Sequence, residues 1–235
     1  LGVALDDVLI GSERLFQRLS EFEKIGALPG GGVCRLALSD EDKAGRDQVK
    51  AWMIELGMVV REDAIGNVVG RLEGREPELA PVMMGSHIDT VATGGVLDGN
   101  LGVLAGLEVV QACLESGHKP RRGLEVCFFS NEEGSRFQPD MMGSLVYTGA
   151  LSLDEALGKL DADGINVRQE LKRLGLGGTH GLPGLKPHAF VELHIEQGPL
   201  LENEGTTIGV VTAVQGISWH RLVLHGQSNH AGTAP

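Results

Sequence analysis

The sequence predicts an α/β protein built on an open sheet, and three observations carry that prediction. A short apolar run, Val82 to Met84, leads through Gly85 and Ser86 to His87. Val103, Leu107, Val110 and Leu114 then recur at helical spacing, and Leu124 to Phe129 is a compact β-branched and aromatic run that ends at Ser130, Asn131, Glu132 and Glu133. Strand, helix and strand in that order imply a sheet whose sites lie outside the carboxyl ends of its strands. His87 and the Glu132/Glu133 pair both fall at such ends.

The remaining elements follow in order. Leu15, Phe16, Leu19 and Phe22 form an apolar stripe in a first helix, and a Gly-rich break, Pro29 to Gly32, separates it from a second. Ser39 is placed to cap that second helix with Asp42 as the acidic partner of a capping box, and Trp52, Met53 and Leu56 supply its buried face. From Met58 to Leu72 two β-rich runs flank Ile65, Gly66 and Asn67, a hairpin signal. Leu151 to Leu174 reads as a polar helical region and Gly175 to Pro187 as a Gly/Pro-rich loop. Phe190 to Ile195 alternates as a strand, with Glu192, His194 and Glu196 on one face. Beyond Gly209 the texture changes and Trp219 to Leu224 reads as a new strand, which puts a domain boundary near Val211.

Composition narrows the function classes. A formal charge of -12 repels polyanions, and Lys119, Arg121 and Arg122 are the one short basic group, so nucleic acid is excluded as a partner. No apolar run nears the roughly 18 residues that span a bilayer, and Leu1 to Ile10 lacks the pattern of a signal peptide; a cytoplasmic protein without a membrane partner is expected. Cys34, Cys113 and Cys127 are far apart, odd in number and without CxxC spacing, so they read as buried thiols rather than a disulfide framework or thiolate metal site. Aromatic residues make up only 4%, so the core must be mainly aliphatic.

Taken singly, the candidate site residues are ordinary. A lone loop histidine is more often a surface residue than a ligand, and paired glutamates usually form a solvated face or cap a helix. Their shared placement at strand ends and helix starts gives them weight. His87 and Asp89 fall on one side of an extended backbone, so Asp89 can orient the imidazole through the nitrogen that holds no metal. Asp98, beside Gly99, has two carboxylate oxygens with which to bridge two cations. His87, Asp98, Glu133 and His194 form a mixed nitrogen and oxygen set suited to zinc, manganese, cobalt or nickel rather than calcium.

These residues lie in five ordered motifs: Gly85-Ser-His-Ile-Asp-Thr-Val; Gly94-Gly-Val-Leu-Asp-Gly-Asn-Leu-Gly-Val-Leu-Ala-Gly-Leu-Glu; Ser130-Asn-Glu-Glu-Gly-Ser-Arg-Phe; Glu192-Leu-His-Ile-Glu-Gln-Gly-Pro; and His230-Ala-Gly-Thr-Ala-Pro. With Gly31-Gly-Val-Cys-Arg-Leu-Ala-Leu-Ser they resemble the M20-type metallo-amidohydrolases. More narrowly, they are similar to the hydantoinase/carbamoylase branch of N-carbamoyl-L-amino acid hydrolases, allantoate amidohydrolases and β-ureidopropionases. The resemblance implies a three-layer αβα, zinc-peptidase-like domain with a mixed sheet over residues 1–211, its C-terminal part missing. The start of a smaller α+β lid and dimerisation domain would occupy residues 212–235.

The resemblance further implies that His87, Glu133 and His194 each bind one of two divalent cations and that Asp98 bridges both. Glu132 would be the general base, Asp89 would orient His87, Gln197 would line the substrate site, and His230 would stabilise a developing oxyanion. His118, His180, His188, His220 and His225 match no motif and read as structural or exposed. A last metal-binding histidine, and the Asn and Arg that grip a substrate carboxylate, are expected beyond Pro235. The implied activity is hydrolysis of a small N-carbamoyl-L-amino acid to the amino acid, ammonia and carbon dioxide by a homodimer. Allantoate amidohydrolase or β-ureidopropionase activity is the nearest alternative, and an inactive metal-binding or dimerisation fragment is the alternative from another class.

Overall fold

The structure is a computed structural model that describes residues 8–178, 186–218, 220, 222–230 and 232. Contacts divide the chain into two compact units, Leu1–Ile195 and Glu196–Pro235. In the first unit, helices α1 (Ser12–Phe22) and α2 (Asp40–Glu55) precede strands β1 (Val59–Glu62), β2 (Val68–Leu72) and β3 (Val82–His87). Helix α3 (Asn100–Glu115), strand β4 (Leu124–Phe129), helices α4 (Met142–Thr148), α5 (Leu153–Leu157) and α6 (Val167–Leu174), and strand β5 (Ala189–Val191) follow. In the second unit the described residues form one short helix, α7 (Leu200–Glu204).

The five strands form one mixed sheet in the order β1-β2-β4-β3-β5. The β1–β2 hairpin and the β2–β4 pair are antiparallel, whereas β3 runs parallel to both β4 and β5. Alternation along the strands separates two faces. Val126 and Phe128 face a core shared with Val49, Met53, Val103, Leu104 and Leu107 of α2 and α3. Val69, Met83 and Cys127 face the other way, toward Phe129 and Tyr147, and Tyr147 lies on α4. Helices thus cover both faces of a mixed sheet, as expected.

Local signals account for most boundaries. The Ser39 side chain accepts the Asp42 N–H at the start of α2. Asp42 does not return the bond to Ser39; it accepts the Leu38 N–H at 2.8 Å and pairs with Arg46. The hairpin turns at Gly66 with φ 86°, a left-handed conformation that favours glycine.

Several expectations need correction. Phe16 is 65% exposed, turned away from the Leu19 and Phe22 face of α1, and Leu114 is 44% exposed because, although it shares the face of Val103, Leu107 and Val110, it lies in the last turn of α3. The helical region expected over residues 151–174 is there, as two helices with a turn between them. Cys34 is only half-buried, although all three cysteines are free. The strand expected over Phe190 to Ile195 stops at Val191. At Leu193 the chain instead approaches α3, where a Cβ on Gly102 would lie 2.6 Å from the Leu193 carbonyl oxygen. Of the strand expected at Trp219 to Leu224, Trp219 and Arg221 lie outside the described residues, and His220 and residues 222–224 carry no strand. His180 also lies outside the described residues; His118 is half-buried, and His188, His220 and His225 are exposed.

Candidate metal centre

Parallel pairing sets the site. His87 is in register with Phe129, so the end of β3 and the Ser130–Glu133 turn after β4 emerge side by side. Gly99 then starts α3 directly behind the imidazole, with φ 65° and a position at which a Cβ would lie 2.5 Å from His87 Nε2. Only glycine satisfies both the backbone and the space.

Three expected residues converge. One ligand atom each from His87, Asp98 and His194 lie within 4.8 Å of one another. His194 Nε2 is 3.2 Å and His87 Nε2 3.8 Å from Asp98 Oδ1, while Glu132 Oε2 is 3.5 Å from His87 Nε2. Both imidazoles are oriented through Nδ1, which donates to a main-chain carbonyl 2.9 Å away: that of Asp89 for His87 and that of Ile195 for His194. Each Nε2 is thereby turned toward Asp98.

The orienting role of Asp89 differs from expectation in its atom. Its main-chain oxygen holds His87, and its carboxylate accepts the N–H groups of Glu132 at 3.1 Å and Glu133 at 3.2 Å. Asp89 therefore fixes both the β3 histidine and the paired acids. Glu133 stands outside the three-residue group, but its Oε1 is buried without a hydrogen-bond partner. Gln197 and His230 belong to the second unit, where both are exposed; His230 Nδ1 accepts the Gly232 N–H at 3.1 Å.

Buried Asp89 and Asp98 and half-buried Glu132 and Glu133 crowd this end of the sheet. Burial raises the Glu132 carboxyl above its ordinary range, with His87 pulling the other way, and pushes that of Glu133 up to about 7. Burial also raises Asp89, against the pull of His87. For His87 burial acts downward, but the Asp89 and Glu132 carboxylates outweigh it and leave the imidazole above its usual value. Excess negative charge, two imidazole Nε2 atoms turned to one carboxylate and an orphaned carboxylate oxygen form a set that fits a divalent cation, which would reverse these shifts.

Four supporting residues were missed. Asn131, buried and left-handed at φ 51°, donates to the Phe137 and Pro139 carbonyls and shapes the turn carrying Glu132 and Glu133. Asn67 Oδ1 accepts the Ser130 N–H, and Arg46 reaches Gly66 O at 2.6 Å and Ser130 Oγ at 3.0 Å. Arg35 donates through Nε to Ile88 O, and its N–H donates to Thr90 Oγ1. An asparagine just before two acids at a strand end, and Arg46 four residues after Asp42, were the available signals.

A model described as peptidase family M20/M25/M40 matches residues 83–231. The chain is 44% identical over 232 residues to an N-carbamoyl-L-amino acid amidohydrolase of Geobacillus stearothermophilus, covering 97% of this chain and 56% of that protein. It is 40% identical over 221 residues to the allantoate amidohydrolase of Escherichia coli (strain K12), covering 93% of this chain and 54% of that one. A solved hydantoinase/carbamoylase family amidase from Burkholderia ambifaria superimposes with a TM-score of 0.85 at 49% identity, covering 87% of this chain and 50% of the other. The chain spans about half the length of the relatives it matches.

Proposed function

Because this chain belongs to peptidase family M20/M25/M40 and, within it, to the hydantoinase/carbamoylase branch, we propose that it supplies the metal-binding part of a hydrolase acting on a linear ureido C–N bond. The observation that carries the proposal is the convergence of His87, Asp98 and His194 at the carboxyl end of the sheet. The proposed substrate is an N-carbamoyl-L-amino acid, in keeping with the Geobacillus relative. Allantoate is the second reading, favoured by the similarity to the Escherichia coli enzyme over 93% of the chain. Ammonia release from each compound, compared in one assay, separates the two.

In this proposal His87 and His194 would each hold one cation, Asp98 would serve both, and Glu133, whose Oε1 is buried without a hydrogen-bond partner, would complete one site. A pair of zinc, manganese, cobalt or nickel ions would supply polarisation of the ureido carbonyl and a lowered pKa for water. A ureido carbonyl is a poor electrophile, since two nitrogens donate into it, so the protein must also manage protons well. Glu132 takes the proton of the attacking water and returns it to the departing nitrogen, a role suited to its raised pKa. Asp89 holds Glu132 by its main chain, so the Glu132 carboxylate is not spent on fixing the turn. Gln197 would line the substrate pocket and His230 would stabilise the oxyanion.

The division at residues 211 and 212 into a catalytic domain and the start of a lid is part of the same proposal, as is a homodimer formed through the lid. Among the described residues no helix is long and apolar enough to cross a membrane. A cytoplasmic location is proposed, and three free cysteines fit a reducing compartment.

The test is Glu132→Gln in the whole protein. Turnover should fall by about 10² to 10⁴-fold, with the metal content measured by atomic emission unchanged. Turnover at the wild-type rate would remove Glu132 from the base role.

A further inference from the structure

We propose that Ser86 and Glu192 form a positioning pair that holds His194 against Asp98 where the sheet no longer does so. Pairing between β3 and β5 ends at Met84 opposite Val191, so His194 lies three residues beyond the last paired residue. No ladder hydrogen bond sets its direction, yet its Nε2 is 3.2 Å from Asp98.

Ser86 continues β3 past the end of that pairing, is 2% exposed, and donates its hydroxyl to the Glu192 carboxylate. At the next residue the chain crosses α3 at Gly102, where a Cβ would lie 2.6 Å from the Leu193 carbonyl oxygen and 2.9 Å from Ser86 Cβ. Gly102 therefore admits the crossing, and the Ser86–Glu192 bond ties the crossing chain back to the strand that carries His87. Two residues later the Ile195 carbonyl sets the His194 ring. Neither Ser86 nor Glu192 belongs to the converging ligand group, so the pair acts through the backbone on either side. It links the histidine delivered by a strand paired with β4 along its whole length to the one delivered by an unpaired segment.

This inference rests on His194 being a metal ligand, and the experiment includes that residue as a control. Cobalt(II) and zinc(II) are titrated by calorimetry into the metal-free whole protein, and the cobalt(II) absorption spectrum and the metal-free melting temperature are recorded. Ser86→Ala and Glu192→Ala should each weaken one of two metal equivalents by about 10 to 100-fold and change the cobalt spectrum, with the other equivalent unaltered. Glu192→Gln keeps an acceptor for the serine hydroxyl and should retain most of the affinity. His194→Ala should lose the same equivalent outright.

If His194→Ala loses that equivalent while both alanine variants bind like wild type, the positioning role is overturned and the ligand assignment stands. Unchanged binding in His194→Ala overturns both. Loss of both equivalents together with a lowered metal-free melting temperature would make the pair merely structural, and a Glu192→Gln as weak as Glu192→Ala would show that charge rather than the hydrogen bond matters.

Discussion

The two histidines of the proposed centre reach it on unlike supports. His87 ends a strand paired on one side along its whole length, is 2% exposed, and is backed by the start of α3. His194 follows a three-residue edge strand and retains 31% side-chain exposure. One half of the site is therefore set by sheet and helix packing, and the other by a few side-chain contacts and a close backbone crossing. The comparison teaches that rigidity and ligand placement can be separated within one centre, and each half can be perturbed alone.

The largest effect should come from Gly99→Ala, on the rigid side. The left-handed backbone alone costs a non-glycine residue about 1 to 2 kcal/mol, and the new Cβ would press within 2.5 Å of His87 Nε2. The imidazole or the start of α3 must shift, so stability and metal binding should fall together. Gly95→Ala is the control, since no heavy atom lies within 4 Å of a Cβ there, and its effect should stay within about 0.5 kcal/mol. Equal melting temperatures and metal affinities for the two variants would break the claim that packing behind His87 sets this half.

A smaller effect concerns charge rather than shape. In the metal-free protein burial raises the Glu133 carboxyl from 4.5 to about 7. A carboxyl raised in the folded state contributes stability that is fully present below its unfolded value and is lost as pH rises through the folded one. Metal-free protein should therefore lose stability between about pH 5 and pH 8, and Glu133→Gln should flatten that loss in thermal melts. The exposed part of the group is screened by solvent, which keeps the effect modest. A bound cation should invert the dependence, because protons then compete with it in acid. A parallel pH slope for wild type and Glu133→Gln would remove Glu133 from this account.

Legibility in the sequence followed the same division. His87, α3 and β4 were readable because strand alternation, helical spacing and a glycine beside Asp98 are local signals. The segment after Val191 was misread, since alternation in Glu192 to Ile195 states a preference but cannot show that the pairing has ended. The supporting polar groups were also hidden. Arg46 to Ser130 and Asn67 to Ser130 are bonds between residues 84 and 63 positions apart, and such long-range partners leave no periodic trace. The Asp89 carbonyl in place of its carboxylate was beyond pattern altogether, because spacing places a residue and not one of its atoms. The roles of Gln197 and His230 rest on motif resemblance, and both lie in the other compact unit.

The smallest effect tests the looser half. Val191 is 57% exposed at the end of β5, whereas Leu104, on the α3 face that packs against the sheet, is fully buried. Truncating a buried leucine costs about 2 to 5 kcal/mol through lost transfer energy and the cavity left behind. An exposed valine has little of either to lose, so Val191→Ala should change the stability of this chain by no more than about 0.5 kcal/mol, as read from urea midpoints. Metal binding should also survive, because what holds His194 acts after Val191, at Glu192, Leu193 and Ile195. A Val191→Ala variant that unfolds readily would show that the edge strand carries weight that its exposure conceals. One that keeps its stability but loses metal would move the control of His194 back into the sheet, and the contrast between the two histidines would then fail.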